Sequence, residues 1–226
     1  LIVVLPNGFG TFTIGEEMEH IQIKIVGKPQ GVIFNNNRTV DQLDCFSKWF
    51  TNHKTNSKSS ETEFEKNYMM QWFSGIYTKP EITCNSDGAV LIPENAKLII
   101  PQKILQTCFR KGASALNKLG KKFAAGCFVT GPAELKHDKD NFALEDQVSK
   151  CKICEPVKVG VGNKIMRYRP LFTGWSAKVE ILHNPVVISK NNVMESLNLA
   201  GMIMGIGDWR PDKSGFYGTF DVEEIS

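Results

Sequence analysis

Residues 175–224 constrain the fold more than any other stretch of the chain. They read as a strand over 175–182, a helix over 189–200, a glycine-studded loop over 205–218 and a closing strand over 219–222. Gly205, Gly207, Gly215 and Gly218 fall within fourteen residues, and glycine permits close backbone approach and positive φ without a Cβ clash. Between them stand Trp209, Arg210, Lys213, Phe216 and Tyr217, residue types that stack on bases and hold phosphates. Two readings stay open at this point. One is a nucleic-acid-binding loop; the other is a glycine-rich hairpin whose aromatics pack inward.

A second stretch bears on that choice. Pro101 sits at a favoured first helical position, and the spacing predicts a helix from 101 to about 119. Ile104, Leu105, Cys108, Phe109, Ala115, Leu116 and Leu119 form its apolar stripe. Lys103, Arg110, Lys111 and Lys118 occupy another sector, and extending the wheel adds Lys121 and Lys122. These six cations between 103 and 122 face no acidic residue. Such a face is either simply solvated or drawn to a phosphate backbone. Between 150 and 178 seven basic residues face one acid, Glu155. Arg167 and Arg169 there lie two apart on an extended segment, which places both on one face with Tyr168 on the other.

The rest supplies framework. Alternation over 21–26 reads as a strand, as does 9–14, and Val32-Ile33-Phe34 is expected to continue that edge after a turn over 27–31. Residues 40–75 change to helical spacing: Val40, Leu43, Phe46, Trp49 and Phe50, then Phe64, Tyr68, Met69, Trp72 and Phe73. A polar connector over 54–60 separates the two runs. A hairpin over 75–92 turns at Asn85-Ser86-Asp87-Gly88. Residues 123–136 read as a strand after Gly126, and 141–149 as an acidic loop or turn.

Length and composition fit a soluble globular chain: 226 residues, 42% hydrophobic, 23% charged and net charge +3. No run of about 18 apolar residues exists, so no membrane span is expected. Residues 1–5 are apolar but lack a basic leader and a small-residue cleavage site, so they do not read as a signal peptide. The first residue is not Met, which leaves a trimmed or processed start open. Of the six cysteines only Cys151 and Cys154 have ligand-like spacing. A structural zinc site needs four ligands, and His20, His53, His137 and His183 are scattered. Reduced thiols, no metal, no cofactor and a cytoplasmic setting are expected.

Two segments together carry a family resemblance. Leu91-Ile92-Pro93 running into Ile100-Pro101-Gln102-Lys103-Ile104-Leu105 and Phe109-Arg110-Lys111-Gly112-Ala113 resembles the strand, Ile-Pro and basic-ended helix that open many RAMP domains. Residues 200–207 continuing to Gly215-Phe216-Tyr217-Gly218-Thr219-Phe220 resemble the RAMP helix, glycine-rich loop and closing strand. The chain is thus similar to the RAMP superfamily, RRM-like proteins that include the Cas7-type backbone subunits of CRISPR effector complexes. Over roughly 60–224 it also resembles a family of phage and prophage proteins of unassigned function. Arg167-Tyr168-Arg169-Pro170 before Trp175, and Gly205-Ile206-Gly207-Asp208-Trp209-Arg210-Pro211, carry that second likeness. It departs from the CRISPR subunits in being shorter and in showing no thumb hairpin. The resemblance implies an α+β, ferredoxin/RRM-like domain over 1–226, an antiparallel sheet with helices on one face, with a helical insertion at about 40–75. It also implies head-to-tail assembly along a strand and, for a phage-encoded chain, the host cytoplasm.

Catalytic motifs are missing from the sequence: no G-x-S-x-G, no Walker loop, no H-E-x-x-H. Gly205-Ile206-Gly207 is not a dinucleotide fingerprint, because it follows a helix and precedes a strand. Asp208 is expected to order the loop, by accepting from backbone N–H groups or pairing with Arg210. Three functions are weighed. The first is non-catalytic binding of single-stranded RNA or DNA. In it Lys103, Arg110, Lys111, Lys118, Lys121, Lys122, Arg167 and Arg169 track the backbone. The amides of Gly205, Gly207, Gly215 and Gly218 meet phosphates, Trp209 or Tyr217 stacks a base, and Arg210 and Lys213 add charge. The second is a RAMP-type endoribonuclease using His183 or His20. The third is a phage anti-defence or protein-interaction module.

Overall fold

The computed structural model describes residues 2–3, 12–13, 18–35, 37–56, 58–159 and 163–225. Those residues form an α+β molecule of six α-helices and antiparallel sheets. In chain order the first half gives β1 (Glu19–Gly27), β2 (Val32–Ile33), α1 (Cys45–Asn52), α2 (Glu61–Gly75), β3 (Lys97–Ile100), α3 (Gln102–Ala115) and α4 (Gly120–Gly126). The second gives β4 (Cys127–Val129), α5 (Leu144–Lys150), β5 (Lys152–Val159), β6 (Asn163–Phe172), β7 (Ser176–His183), α6 (Lys190–Leu199) and β8 (Phe220–Glu224).

The central sheet runs β8-β1-β7-β4 with every neighbour antiparallel. Counted along the chain among themselves, its four strands lie in the order 4-1-3-2. Helix α3 connects the first to the second and α6 the third to the fourth. Period-two alternation decides which side faces in. Ile21, Ile23 and Ile25 of β1 lie opposite Ile181, Val179 and Ala177 of β7, all buried. Each such isoleucine contributes about 1.5–3 kcal/mol of burial.

Leu105, Cys108, Phe109, Gly112 and Ala113 of α3 are buried. The Phe109 ring meets that of Phe220 at 6.3 Å. Gly112 lets α3 cross α6 closely, since a Cβ there would strike the Ser196 carbonyl and Ala200. The second sheet, β5-β6-β2, rests on α2 through Trp72, whose Nε1 donates to the Cys151 carbonyl at 2.6 Å. Helix α2 starts at Glu61, where Ser60 and Glu63 form a reciprocal capping box.

Several expectations change. The strand expected over 9–14 lies outside the described residues except Phe12–Thr13, which pairs with Ile2–Val3. Val32–Ile33 does not continue β1; it pairs with Leu171 and Phe172 of β6 in the second sheet. Val40 and Leu43 are exposed and precede α1, which Asp44 caps. The hairpin is shorter than expected, Thr83–Cys84 against Val90–Leu91. The 123–136 stretch holds two short strands, β4 and Ala133–Glu134. Part of the acidic stretch over 141–149 is helical, as α5.

The long basic helix is the largest correction. Helix α3 stops at Ala115, Leu116 turns extended, and Asn117 and Lys118 both adopt left-handed φ, 49° and 59°. Asparagine tolerates that region better than other non-glycine residues. A new helix then begins at Gly120, so one wheel does not carry all six cations. Among the described residues no helix is long and apolar enough to cross a membrane.

Candidate nucleic-acid interface

The glycine loop is knitted to itself and to β2. After α6 the backbone widens into a π-turn over Ala200–Met204, and Gly205 at φ 66° ends it by donating to the Ala200 carbonyl at 2.9 Å. Ile206 N–H donates to the Gly218 carbonyl, and Gly218 N–H to that of Gly31. Asp208 N–H reaches the Ile33 carbonyl at 2.7 Å, and Gly215 N–H donates to Arg210. A Cβ on Gly218 would collide with the Ile206 carbonyl, and one on Gly207 with that of Ile33. These glycines therefore serve packing of the loop on itself. The amides of Gly205, Gly215 and Gly218 are already used and are not free to meet a phosphate; of the four expected, only that of Gly207 donates to no backbone carbonyl among the described residues.

Between this loop and α3 lies a pocket of about 300 Å³. Lys103, Ile104, Thr107, Cys108 and Lys111, spaced to share one side of α3, form one wall; Gly205, Ile206, Gly207, Asp208 and Arg210 form another. Phe34, Asn35 and Asn37 close it. Two of the cations are tied down. Lys111 Nζ lies 2.5 Å and Arg210 Nη2 3.1 Å from Asp212 Oδ2, while Arg210 Nη1 donates to the Gly207 carbonyl at 2.6 Å. Asp208 pairs with Arg169 at 3.1 Å, rather than with Arg210 or the loop's backbone N–H groups, the two partners expected from the sequence. The hydrogen bond from Lys111 holds the Asp212 carboxyl below the usual carboxylate range. Lys103, Lys111, Arg169 and Arg210 thus outnumber Asp208 and Asp212, and the neighbourhood stays positive. Burial pushes the Cys108 thiol up to about 12, so the pocket offers no thiolate nucleophile.

Aromatic surface stands beside the pocket. Trp209 is 39% and Phe216 53% exposed, with ring centroids 6.0 Å apart. Trp209 holds φ at 48°, a region that costs a bulky residue roughly 1–3 kcal/mol. Tyr217 N–H donates to its carbonyl and helps fix that geometry. Tyr217 itself is buried and stacked under Phe216 at 4.4 Å, so it is no base platform. Its neighbour Phe216 is the exposed ring of the pair.

The other expected residues scatter. Arg110 and Lys213 are exposed and outside the pocket lining. Lys118, Lys121 and Lys122 sit on the turn after α3 and on α4, exposed and lining none of it. Arg167 lines a different pocket. The sequence reading missed Phe34, Asn35 and Asn37, whose only signal was a short apolar segment running into asparagines, and Thr107, one turn from Lys103 and Lys111 on α3. Neither histidine fits a nuclease at this loop. His183 is fully buried, its Nε2 2.5 Å from the Ile188 carbonyl. His20 pairs with Glu180 at 2.7 Å, seven residues and so roughly 23 Å along β1 from the Gly27 end where the loop lies. The Cys151–Cys154 pair is split, Cys151 buried against His137 and Cys154 exposed.

Neither a protein-family model nor a curated protein matches the chain.

Proposed function

We propose that the chain is a non-catalytic binder of single-stranded nucleic acid on a ferredoxin/RRM-like, RAMP-type domain. The β-α-β-β-α-β order with strands arranged 4-1-3-2 supports that fold. One observation carries the function: Lys103, Lys111 and Arg210 converge on one pocket beside the exposed rings of Trp209 and Phe216. A phosphate in the pocket meets two ammonium groups and a guanidinium fork and competes with Asp212 for them. A base one step along stacks on Trp209, worth about 1–3 kcal/mol. The strained tryptophan backbone fits a ring kept for contact, since a smaller residue would fold there more easily.

The sheet does not take the strand as in RRM domains, whose open face stacks bases on aromatics. Opposite the helices the described residues of this sheet present Gln22, Lys24, Lys178, Glu180 and Glu223, with Phe128 and the Glu180-paired imidazole of His20 as their rings. The loop groove is the binding surface.

The test is fluorescence polarisation with labelled single-stranded RNA and DNA. Trp209→Ala combined with Arg210→Ala weakens binding at least tenfold, the product of a lost stack and a lost charge-assisted contact. The circular-dichroism spectrum stays that of the parent. Unchanged affinity in the folded double variant removes the loop from the interface.

A further inference from the structure

Arg167 opens a second cavity that the loop reading does not use. This pocket, about 440 Å³, is lined by Arg167, His53, Lys54, Asn67 and Gln71 among others, and by no carboxylate. Arg167 is partly buried and makes no ion pair among the described residues; Glu155, opposite it across β5 and β6, does not reach it. Burial, and after it the neighbouring Arg169, holds the Arg167 guanidinium below its ordinary value. Buried positive charge of this kind is normally matched by a partner.

The uncharged walls are arranged to donate. Gln71 is pinned at both ends: Nε2 donates to Asn67 Oδ1 at 2.7 Å and Oε1 accepts from Tyr168 N–H at 3.1 Å. With its oxygen occupied, buried Asn67 keeps its amide hydrogens as its remaining polar capacity. His53 closes α1, its Nδ1 3.0 Å from the Trp49 carbonyl, and its ring stacks on Trp49 at 4.7 Å. That carbonyl only accepts, so Nδ1 is the donor in this contact.

We infer that the Arg167 pocket is a phosphate-class oxyanion site, with Arg167, Lys54 and Asn67 as its ligands. Resting on the single-strand reading, it extends the groove. Arg167 and Arg169 lie on one side of β6, and Arg169 is fixed to Asp208 in the wall of the loop pocket. The strand leaves the loop, crosses Arg169 and lodges a phosphate at Arg167.

The probe is inorganic pyrophosphate titrated into the full chain and followed by the NMR side-chain amide signals of Asn67 and Gln71. Those signals shift saturably, with a Kd of about 1 mM or tighter. Arg167→Gln abolishes the shift, and Lys54→Glu, a change at an exposed position, weakens it about tenfold. Signals that stay still in the wild type, or that shift equally in Lys54→Glu, overturn the site. Oligonucleotides then separate the sources. Equal shifts with 5′-hydroxyl and 5′-phosphate strands mean an internal phosphodiester, and a shift with the 5′-phosphate alone means a terminal phosphate. The pyrophosphate readout is separate from the polarisation of the Trp209 and Arg210 variant. Loss of the first with retention of the second removes Arg167 and leaves the loop.

Discussion

Residues 103–111 and 118–122 look alike in sequence, three cations each and no acid, yet they end in different surroundings. The first group rides on α3, where Lys103 and Lys111 share a side that faces the glycine loop and lines its pocket. The second follows two left-handed residues and a fresh helix start, so its lysines point to solvent away from any described pocket. What separates them is not charge but an opposing wall. A lysine next to Arg210 and Asp212 is held at a fixed place, whereas an exposed lysine adds only a screened field.

If the opposing wall is what matters, breaking it has the largest effect. Gly218 holds φ at 71°, and a Cβ there would hit the Ile206 carbonyl. Gly218→Ala is expected to cost about 3 kcal/mol in urea unfolding and to abolish strand binding at concentrations where the parent binds. An alanine variant of parental stability would mean the loop is slack and its wall incidental.

How much of this was legible beforehand follows from the kind of force involved. Strand β1, helices α2 and α6 and the loop between α6 and β8 were readable, because alternation, helical spacing and clustered glycines are local signals. The end of α3 was missed because its apolar spacing continues through Leu116 and Leu119, although the backbone leaves the helix at Leu116. Tyr217, a candidate stacking ring by sequence, is buried while Phe216 is exposed, and neighbours in an irregular loop give no periodicity to say which ring faces in. The partners of Asp208 and Asp212 were unreadable for another reason. Arg169 and Lys111 reach them from about 40 and 100 residues away in the chain, a distance only the folded topology closes.

A smaller effect sharpens the comparison. Asp212 clamps Lys111 and Arg210, so Asp212→Asn frees both for phosphate. It should tighten strand binding several-fold by polarisation while lowering the melting temperature by a few degrees. The sign with pH follows from the depressed carboxyl. Its stabilising contribution is complete above the unfolded-state carboxylate value and disappears as pH falls through the lower folded value. The parent therefore loses more stability than Asp212→Asn on acidification below the ordinary carboxylate range, as stepwise thermal melts would record. Equal acid sensitivity in both would remove the clamp.

The most direct measurement is the salt dependence of single-strand affinity in two charge variants. Lys103 lines the loop pocket and makes no ion pair among the described residues, so Lys103→Gln should lower the log–log slope by about 0.7, one phosphate contact on a single strand. The triple change Lys118→Gln, Lys121→Gln and Lys122→Gln should leave the slope where it was. A flattened slope in the triple variant together with an unchanged one in Lys103→Gln would contradict the loop groove as the binding surface.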